Sequence, residues 1–596
     1  RRLAAVFLRA RRSPLPARSP PGVATETPLF PSPQLTRAMA VPARALWILC
    51  QLAGCSAMTQ RVRATLSESS AAAAEHGSYL SALSSLLRGC SGLECMRRYV
   101  EEADPVYGWT RVGEVHGVEY SNWVGYTVHL LNMTSQRWLT PKESSASIWW
   151  HPLAIVVPQN LEATNWTTLV AGGAAATMDK FLPGKEAQWA SNPDVTAAIQ
   201  LATRTKAVSA ALLMVPNQAM VLPDFGGAER TEDGIKAYTY VEYLNDPGHN
   251  PEWPIEMPMA KAVVRGMDTV TAFVSTLGLP GGAAANYAVT GCSKRGMISY
   301  HVAAVDSRVK AIMPMVIVPN MRKFTDLVAR TMHGTPMFMH DYKESGISGR
   351  YWEPKSDQLL GIIDAAFFMD RFAGLPKLAM FAANDDIWGP DGDQVFWKDL
   401  PEPKSFLTVP NLPHRGSMSL ADWLPSAAAF VRGLATGVAE PRISWSLDGA
   451  SGTITARQLS NHAPSVTQWT AVSCRGCGRR DFRLFTADTG PNCTRCGIEH
   501  PEIVAWFTQN FHYTLPGWCA MGLANHYQPT PLKETAPGSR EWRATVEAPS
   551  DGRWAATFLA FEYPGEEMRS TQVLVYPDVY PFEGCTGAQC LKGALV

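Results

Sequence analysis

Tyr287-Ala288-Val289-Thr290-Gly291-Cys292-Ser293-Lys294-Arg295-Gly296 reads as a short buried strand running into a turn of small residues, and residues 297–305 continue it as a helix. A strand, a sharp turn and a helix are the setting a nucleophilic serine needs. The hydroxyl must stand clear at the turn, and the flanking residues must be small so that the backbone can fold back. The amide after the serine then faces the substrate oxygen at a helix N-terminus. Gly291 supplies the small residue two before Ser293, but Arg295 stands two after it, where glycine is usual, and Gly296 follows one later. Gly-x-Ser-x-x-Gly is weak evidence alone and stronger between a strand and a helix.

The flanking sequence places this turn in an α/β sheet. Residues 153–157, 168–171 and 208–215 read as buried strands before it, and 309–317, 377–382 and 406–409 as strands after it. Thr231 can cap a helix whose first turn carries Glu232 and Asp233, where the helix dipole favours acids. Met259, Val263, Met267, Val270, Val274 and Leu277 line one face of a second helix, which Gly278 ends. Strands alternating with helices imply a mostly parallel sheet covered on both faces, expected over residues 99–435. Residues 319–375, rich in Met, Phe, His and Tyr, break the rhythm. They are expected to form a lid-like helical insertion over the C-terminal edge of the sheet, where open α/β sheets place ligands. From residue 443 short β-like runs separated by Gly, Pro and Asp predict a smaller all-β, sandwich-like domain over 440–580.

A triad on such a sheet follows the chain order serine, acid, histidine, each just after a strand. Asp385 and Asp386 follow the strand 377–382, and His414 follows 406–409. The roles would be Ser293 as nucleophile, His414 as base and then acid, and Asp385 orienting the imidazole, with Asp386 the other candidate acid. The oxyanion donors would be the Lys294 amide and one from the turn Gly172-Gly173. A serine in a Gly-rich turn is more often structural, strand-end aspartates often cap loops, and a lone histidine is usually surface or core. Finding the three in order carries the reading.

The 596 residues are 46% hydrophobic, enough for a large core, and lysine plus arginine equals aspartate plus glutamate at 53 each. That balance gives no electrostatic case for nucleic acid or an anionic membrane as partner. No stretch beyond the N-terminal region offers the ~18 uninterrupted apolar residues of a membrane span. No pattern calls for a cofactor or a catalytic metal. The expected partner is a small or polymer-derived ester or amide, and no pattern reports the oligomeric state.

The N-terminal region reads separately. Residues 1–38 are rich in Arg, Pro and Ala and look like an upstream or targeting segment. After Met39, Arg44 supplies a positive region, residues 45–53 a short apolar core, and Cys55-Ser56-Ala57 a small-residue cleavage site. This is a secretory signal pattern over 39–57. An organelle transit sequence is a rival for the arginine-rich start, and Leu52-Ala53-Gly54-Cys55 also fits a lipoprotein cleavage box. The Ser/Ala-rich region 58–98 is expected to be poorly ordered. The close pairs Cys90/Cys95, Cys474/Cys477, Cys493/Cys496 and Cys585/Cys590 fit an oxidising, extracellular setting. Cys474, Cys477, Cys493 and Cys496 also have zinc-ribbon spacing. In a secreted chain they are expected to form two disulfides clamping a β-hairpin, a structural role either way.

Several separated segments resemble the PhoPQ-activated pathogenicity-related proteins. They are Tyr99-Val100 with Asp104-Pro105, Ser135-Gln136-Arg137-Trp138, Val215-Pro216-Asn217-Gln218, Arg230-Thr231-Glu232-Asp233, and Trp253-Pro254 with Pro258-Met259. The likeness continues in Ser293-Lys294-Arg295-Gly296, Val305-Asp306-Ser307-Arg308-Val309, Pro314-Met315-Val316-Ile317 and Pro410-Asn411, with an echo in Arg480-Asp481-Phe482-Arg483. The resemblance implies an α/β-hydrolase-like domain with its nucleophile segment at Ser293, followed by a β domain. The retained serine, acid and histidine favour a secreted serine hydrolase acting on an ester or amide, carboxylesterase rather than peptidase because nothing marks a peptide-terminus clamp; the alternative is a secreted non-catalytic signalling or binding protein on the same fold. The family's acid loop tends to a Gly-Asp-Glu type, where this chain has Asn384-Asp385-Asp386. Residues 291–296 are also similar to the Gly-Cys-Ser-Arg-x-Gly elbow of glucuronoyl esterases. That implies that glycine three after the serine builds a working elbow, with the Lys294 side chain as a cationic helper. Lysine cannot make arginine's planar two-pronged contact, so uronate specificity is not implied.

The signal pattern predicts a mature N-terminus near Met58. N-terminal sequencing of secreted protein checks this, and a start that retains residues 1–38 would overturn it.

Overall fold

The computed structural model describes residues 76–173, 192–223, 227–248, 251–280, 284–414, 420–460, 464–488, 498–499, 519–522 and 525–596. The expected targeting and signal segments lie outside these residues.

A nine-stranded sheet organises the first two thirds. Its strands are β1 (Gly108–Glu119), β2 (Val124–Arg137), β3 (Ile148–Pro158), β4 (Ala163–Ala171), β5 (Ala207–Leu212), β6 (Asn286–Cys292), β7 (Val309–Met315), β8 (Lys377–Ala382) and β9 (Lys404–Val409). They lie in the order β1-β2-β3-β5-β4-β6-β7-β8-β9. From β5 to β9 all neighbours are parallel, while β1, β2 and β3 add an antiparallel edge. This is the expected α/β-hydrolase-like sheet. The β1–β2 hairpin was not read from the sequence: β1 is a half-buried edge strand broken by a bulge between Arg111 and Gly113, and it carries charge along its length.

Helices cover both faces. Among them, in chain order, are α1 (Leu93–Glu101), α2 (Pro193–Thr205), α3 (Glu232–Asn245), α4 (Glu256–Thr276), α5 (Lys294–Val305), α6 (Met321–Met332), α7 (His340–Glu344), α8 (Ser356–Ile363) and α9 (Leu420–Thr436). α2 and α9 pack on one face and α4 and α5 on the other. Every residue of β5 is buried, as a strand covered on both faces requires. Between β7 and β8 the chain makes α6, α7, α8 and the 3₁₀ segment Ala365–Phe372.

Residues 76–87 are helical, where the sequence reading expected poor order. Tyr79, Leu83 and Leu87 recur on one face of the Ser/Ala-rich stretch and are buried. A disulfide, Cys90–Cys95, closes the turn into α1. There the backbones nearly touch: a Cβ on Gly361 of α8 would lie 2.9 Å from the Gly92 Cα.

The C-terminal part is a two-layer β-sandwich. One sheet joins β10 (Ile443–Asp448), β11 (Thr453–Gln458) and β14 (Glu541–Thr545). The other runs β13 (Gln528–Leu532), β12 (Ser465–Val472), β15 (Ala555–Glu562) and β16 (Met568–Ser570), with β17 (Leu574–Tyr576) also on β15. β15 is buried on both sides. Leu559 and Phe561 face the sandwich interior with Ile454 and Trp542. Ala556, Phe558 and Ala560 share a second cluster with Phe482, Tyr527 and Ala383, which belongs to the large sheet's β8 loop. The two parts form one compact unit. Cys474 is bonded to Cys477, and Cys585 to Cys590; Cys493 and Cys496 lie outside the described residues.

Gly361→Ala should force α8 off the N-terminus of α1 and lower stability by about 1–3 kcal/mol. A fall in the urea midpoint with an unchanged slope checks this. Gly77→Ala, where an added Cβ meets nothing within 4 Å, should leave the midpoint unchanged or slightly raised.

Candidate active site

Parallel strands finish at one edge, and the turns that leave it carry the candidate groups. Four of these turns contain a non-glycine residue at positive φ: Met214 (61°), Ser293 (57°), Val316 (44°) and Asn411 (59°). Residues held in such conformations cost about 1–3 kcal/mol each and gather where geometry matters.

β6 ends at Cys292 and α5 starts at Lys294, so Ser293 alone is the turn. Its amide donates to the Met315 carbonyl at 2.8 Å, tying the elbow to β7. The two glycines are there for space. A Cβ on Gly291 would lie 2.5 Å from the Arg295 Cβ, and one on Gly296 would lie 2.8 Å from the Met315 oxygen. Helix and neighbouring strand meet three residues after the serine, which is why the glycine sits there. The Lys294 amide is in the first turn of α5, where no intrahelical acceptor exists.

Asp385 and His414 meet. The imidazole Nδ1 lies 2.8 Å from Asp385 Oδ2. The other carboxylate oxygen accepts from the Ile387 and Trp388 amides at 2.8 and 2.9 Å. A carboxylate can only accept, so Nδ1 carries the proton and in the neutral ring Nε2 is the acceptor nitrogen. Asp386 faces the histidine backbone instead, accepting from the His414 amide at 3.2 Å. Burial, and then the charge of Asp385, pushes the Asp386 carboxyl well above the usual range. Asp385, His414 and Ser293 are all buried.

Two expectations for the oxyanion side change. The Gly172 amide already donates to the Leu212 carbonyl at 2.8 Å, because β4 and β5 stay paired to that point, so it has no proton left for a substrate. The Lys294 ammonium is held by Asp233 Oδ2 at 2.6 Å and Glu232 Oε2 at 3.2 Å, so it is a buried ion-pair partner and not a free cation. Burial acts against its charge, but these two acids outweigh that and raise its pKa.

The side chains around the elbow form one network. Arg295 binds Glu232 through both terminal nitrogens at 2.8 Å each. It also donates to the Val215 and Gly173 carbonyls. Gln218 donates to Glu232 at 2.7 Å and to the Gly173 carbonyl, and its own oxygen accepts from the Glu232 amide at 2.9 Å. Burial would raise the Glu232 carboxyl, but Arg295 and Lys294 hold it well below the usual range. Tyr342 of α7 donates to Asp233 at 2.7 Å, tying the helical insertion to the same cluster. On the far side burial pushes Asp194 up to about 6 against the pull of Arg295. Sequence reading saw Glu232 and Asp233 only as first-turn acids. The signal it passed over was that both lie, with Gln218 and Arg295, in segments that carry the family resemblance. Tyr342 had no such signal.

A curated relative, autocrine proliferation repressor protein A of Dictyostelium discoideum, is 29% identical over 513 residues, covering 82% of this chain and 91% of that one. Among solved structures, acetyl xylan esterase 1 from Thermoanaerobacterium is similar at TM-score 0.33 and 17% identity, over 58% of this chain and 98% of that one. A glucuronoyl esterase from Solibacter usitatus is similar at TM-score 0.29 and 12% identity, over 52% and 76%. Residues 96–483 match the family described as PhoPQ-activated pathogenicity-related protein. That span takes in the whole nine-stranded sheet, the Arg295 cluster and the segment 480–483 of the β part, and the chain belongs to this family.

Proposed function

We propose that the protein is a secreted serine hydrolase that cleaves a carboxylic ester or amide, an ester in preference to a peptide. The observation that carries this is the 2.8 Å contact between His414 Nδ1 and an Asp385 carboxylate that two backbone amides hold in place. It lies on the sheet edge where Ser293 forms a strained strand-to-helix elbow. His414 Nε2 takes the Ser293 proton as the hydroxyl attacks the carbonyl carbon, and Asp385 stabilises the imidazolium that forms. The Lys294 amide and the Gly173 amide receive the developing oxyanion. His414 then protonates the leaving group, and water repeats the sequence to release the acid. An ester is favoured because none of the described residues of the site marks a clamp for a peptide terminus. The disulfides Cys90–Cys95 and Cys585–Cys590 support an oxidising compartment. Among the described residues no helix is long and apolar enough to cross a membrane.

A second reading, a non-catalytic secreted signal on the same fold, is favoured by the curated relative, whose name describes an autocrine proliferation repressor.

Ser293→Ala and His414→Ala should stay folded and lose about 10³- to 10⁶-fold in turnover of an activated ester, and Asp385→Asn somewhat less. The losses should not add, because the three act as one unit. Asp386→Asn should be the mildest of the four. The amide keeps an oxygen for the His414 N–H, and it replaces a carboxyl that burial already favours uncharged. Wild-type protein with no turnover and no fluorophosphonate label on Ser293 would favour the signalling reading.

A further inference from the structure

Ala383, Asn384 and Asn411 belong to the loops that carry Asp385 and His414, yet their partners lie in the β-sandwich part. Ala383, fully buried, packs with Ala471, Phe482, Tyr527 and Phe558 inside the sandwich's own apolar cluster. The Asn384 side chain is also fully buried. Its Nδ2 donates to the Phe482 carbonyl at 2.6 Å and the Asn525 carbonyl at 3.0 Å. Its backbone amide donates to the Leu412 carbonyl at 3.1 Å, joining the acid loop to the histidine loop. Asn411 pairs with Tyr527 as a strand would, accepting from its amide at 2.7 Å and donating to its carbonyl at 3.0 Å. On the sandwich side, Asn525 donates to the Asp481 and Arg483 carbonyls at 3.1 and 3.0 Å. Arg483 in turn grips Asp481 at 2.9 and 2.6 Å.

We propose that Asn384 and Asn411 are positioning residues that hang the Asp385 and His414 loops from the β-sandwich, so that this part sets the geometry of the acid–base pair. The inference rests on the serine hydrolase reading. Its physical basis is that an asparagine amide offers donors to backbone carbonyls, as Asn384 does, and in Asn411 an acceptor to a backbone amide as well. It can therefore replace a ladder of backbone hydrogen bonds at a point where two loops have left their sheet. Asn384 is adjacent to Asp385, and Asn411 is three residues from His414. A shift at either anchor passes directly into the 2.8 Å contact between the acid and the imidazole. Displacements of about 1 Å in a catalytic pair can cost about 100-fold in rate.

Asn411→Asp and Asn411→Gly separate the amide from the backbone. Aspartate keeps the shape and the acceptor but cannot donate to Tyr527, while glycine keeps the positive φ without strain and removes the side chain. Asn384→Asp is the matching change on the acid loop. With the full chain and an activated ester, each should lower kcat about 10- to 100-fold at near-constant KM. Each should also slow fluorophosphonate labelling of Ser293, while circular dichroism shows the wild-type fold. Folded fraction and kcat falling together, with wild-type kcat per folded molecule, would overturn the proposal. So would folded variants with wild-type kcat. An inactive wild type is a separate result: it removes the hydrolase reading and the positioning role with it.

Discussion

Arg295 occupies the position after the elbow where a glycine is usual, and much of the local architecture follows from accommodating it. Its Cβ fills the space a side chain at residue 291 would need, and its guanidinium lies 1.9 Å from where a Gly173 Cβ would be. Gly173 makes room for the guanidinium, and Gly291 for the backbone and Cβ of residue 295. The charge is buried, so it requires an acid, and Glu232 provides a two-pronged match. Removing one member of such a buried pair commonly costs about 3–5 kcal/mol, because the other is left uncompensated. Through the Val215 and Gly173 carbonyls the same guanidinium also joins the turns after β5 and β4 to the N-terminus of α5. One side chain thus holds three strand ends in register around Ser293.

The segments that carry the family resemblance gain a physical meaning here. Val215 to Gln218, Arg230 to Asp233 and Ser293 to Gly296 are three parts of this one cluster. A second set ties the N-terminal helix to the sheet. Tyr99 donates to Gln136, which donates to the Pro258 carbonyl. Asp104 accepts from the Arg137 amide, and the Trp138 indole donates to the Glu252 carbonyl. Residues of these segments serve as hydrogen-bond anchors between elements distant in sequence. They mark how the fold is pinned together more than how it reacts.

What was legible in the sequence was whatever repeats along the chain. Buried strands such as β5 and β8 stand out because both faces are largely apolar, and the placement of Ser293, Asp385 and His414 just after strands follows from where those strands end. The β1–β2 hairpin was not legible, since a half-solvated, bulged edge strand keeps no clean alternation. Nor was the helix at residues 76–87, where leucines spaced for one face are hidden among Ser and Ala. The choice between Asp385 and Asp386 depends on which carboxylate the chain turns toward the imidazole, and no residue pattern encodes a rotation. The same holds for Lys294, whose ammonium was free to be a site cation until α3 brought two acids against it.

The packing of Ala383 into the sandwich also bears on the timing of synthesis. A ribosome delivers Asn384 98 residues before Phe482 and 141 before Asn525, and Asn411 116 before Tyr527. A nascent chain can therefore have Ser293, Asp385 and His414 already outside the exit tunnel while the carbonyls and amides that anchor their loops do not yet exist. A chain interrupted before residue 527 therefore holds Ser293, Asp385 and His414 on a complete nine-stranded sheet but lacks the sandwich contacts of Asn384 and Asn411.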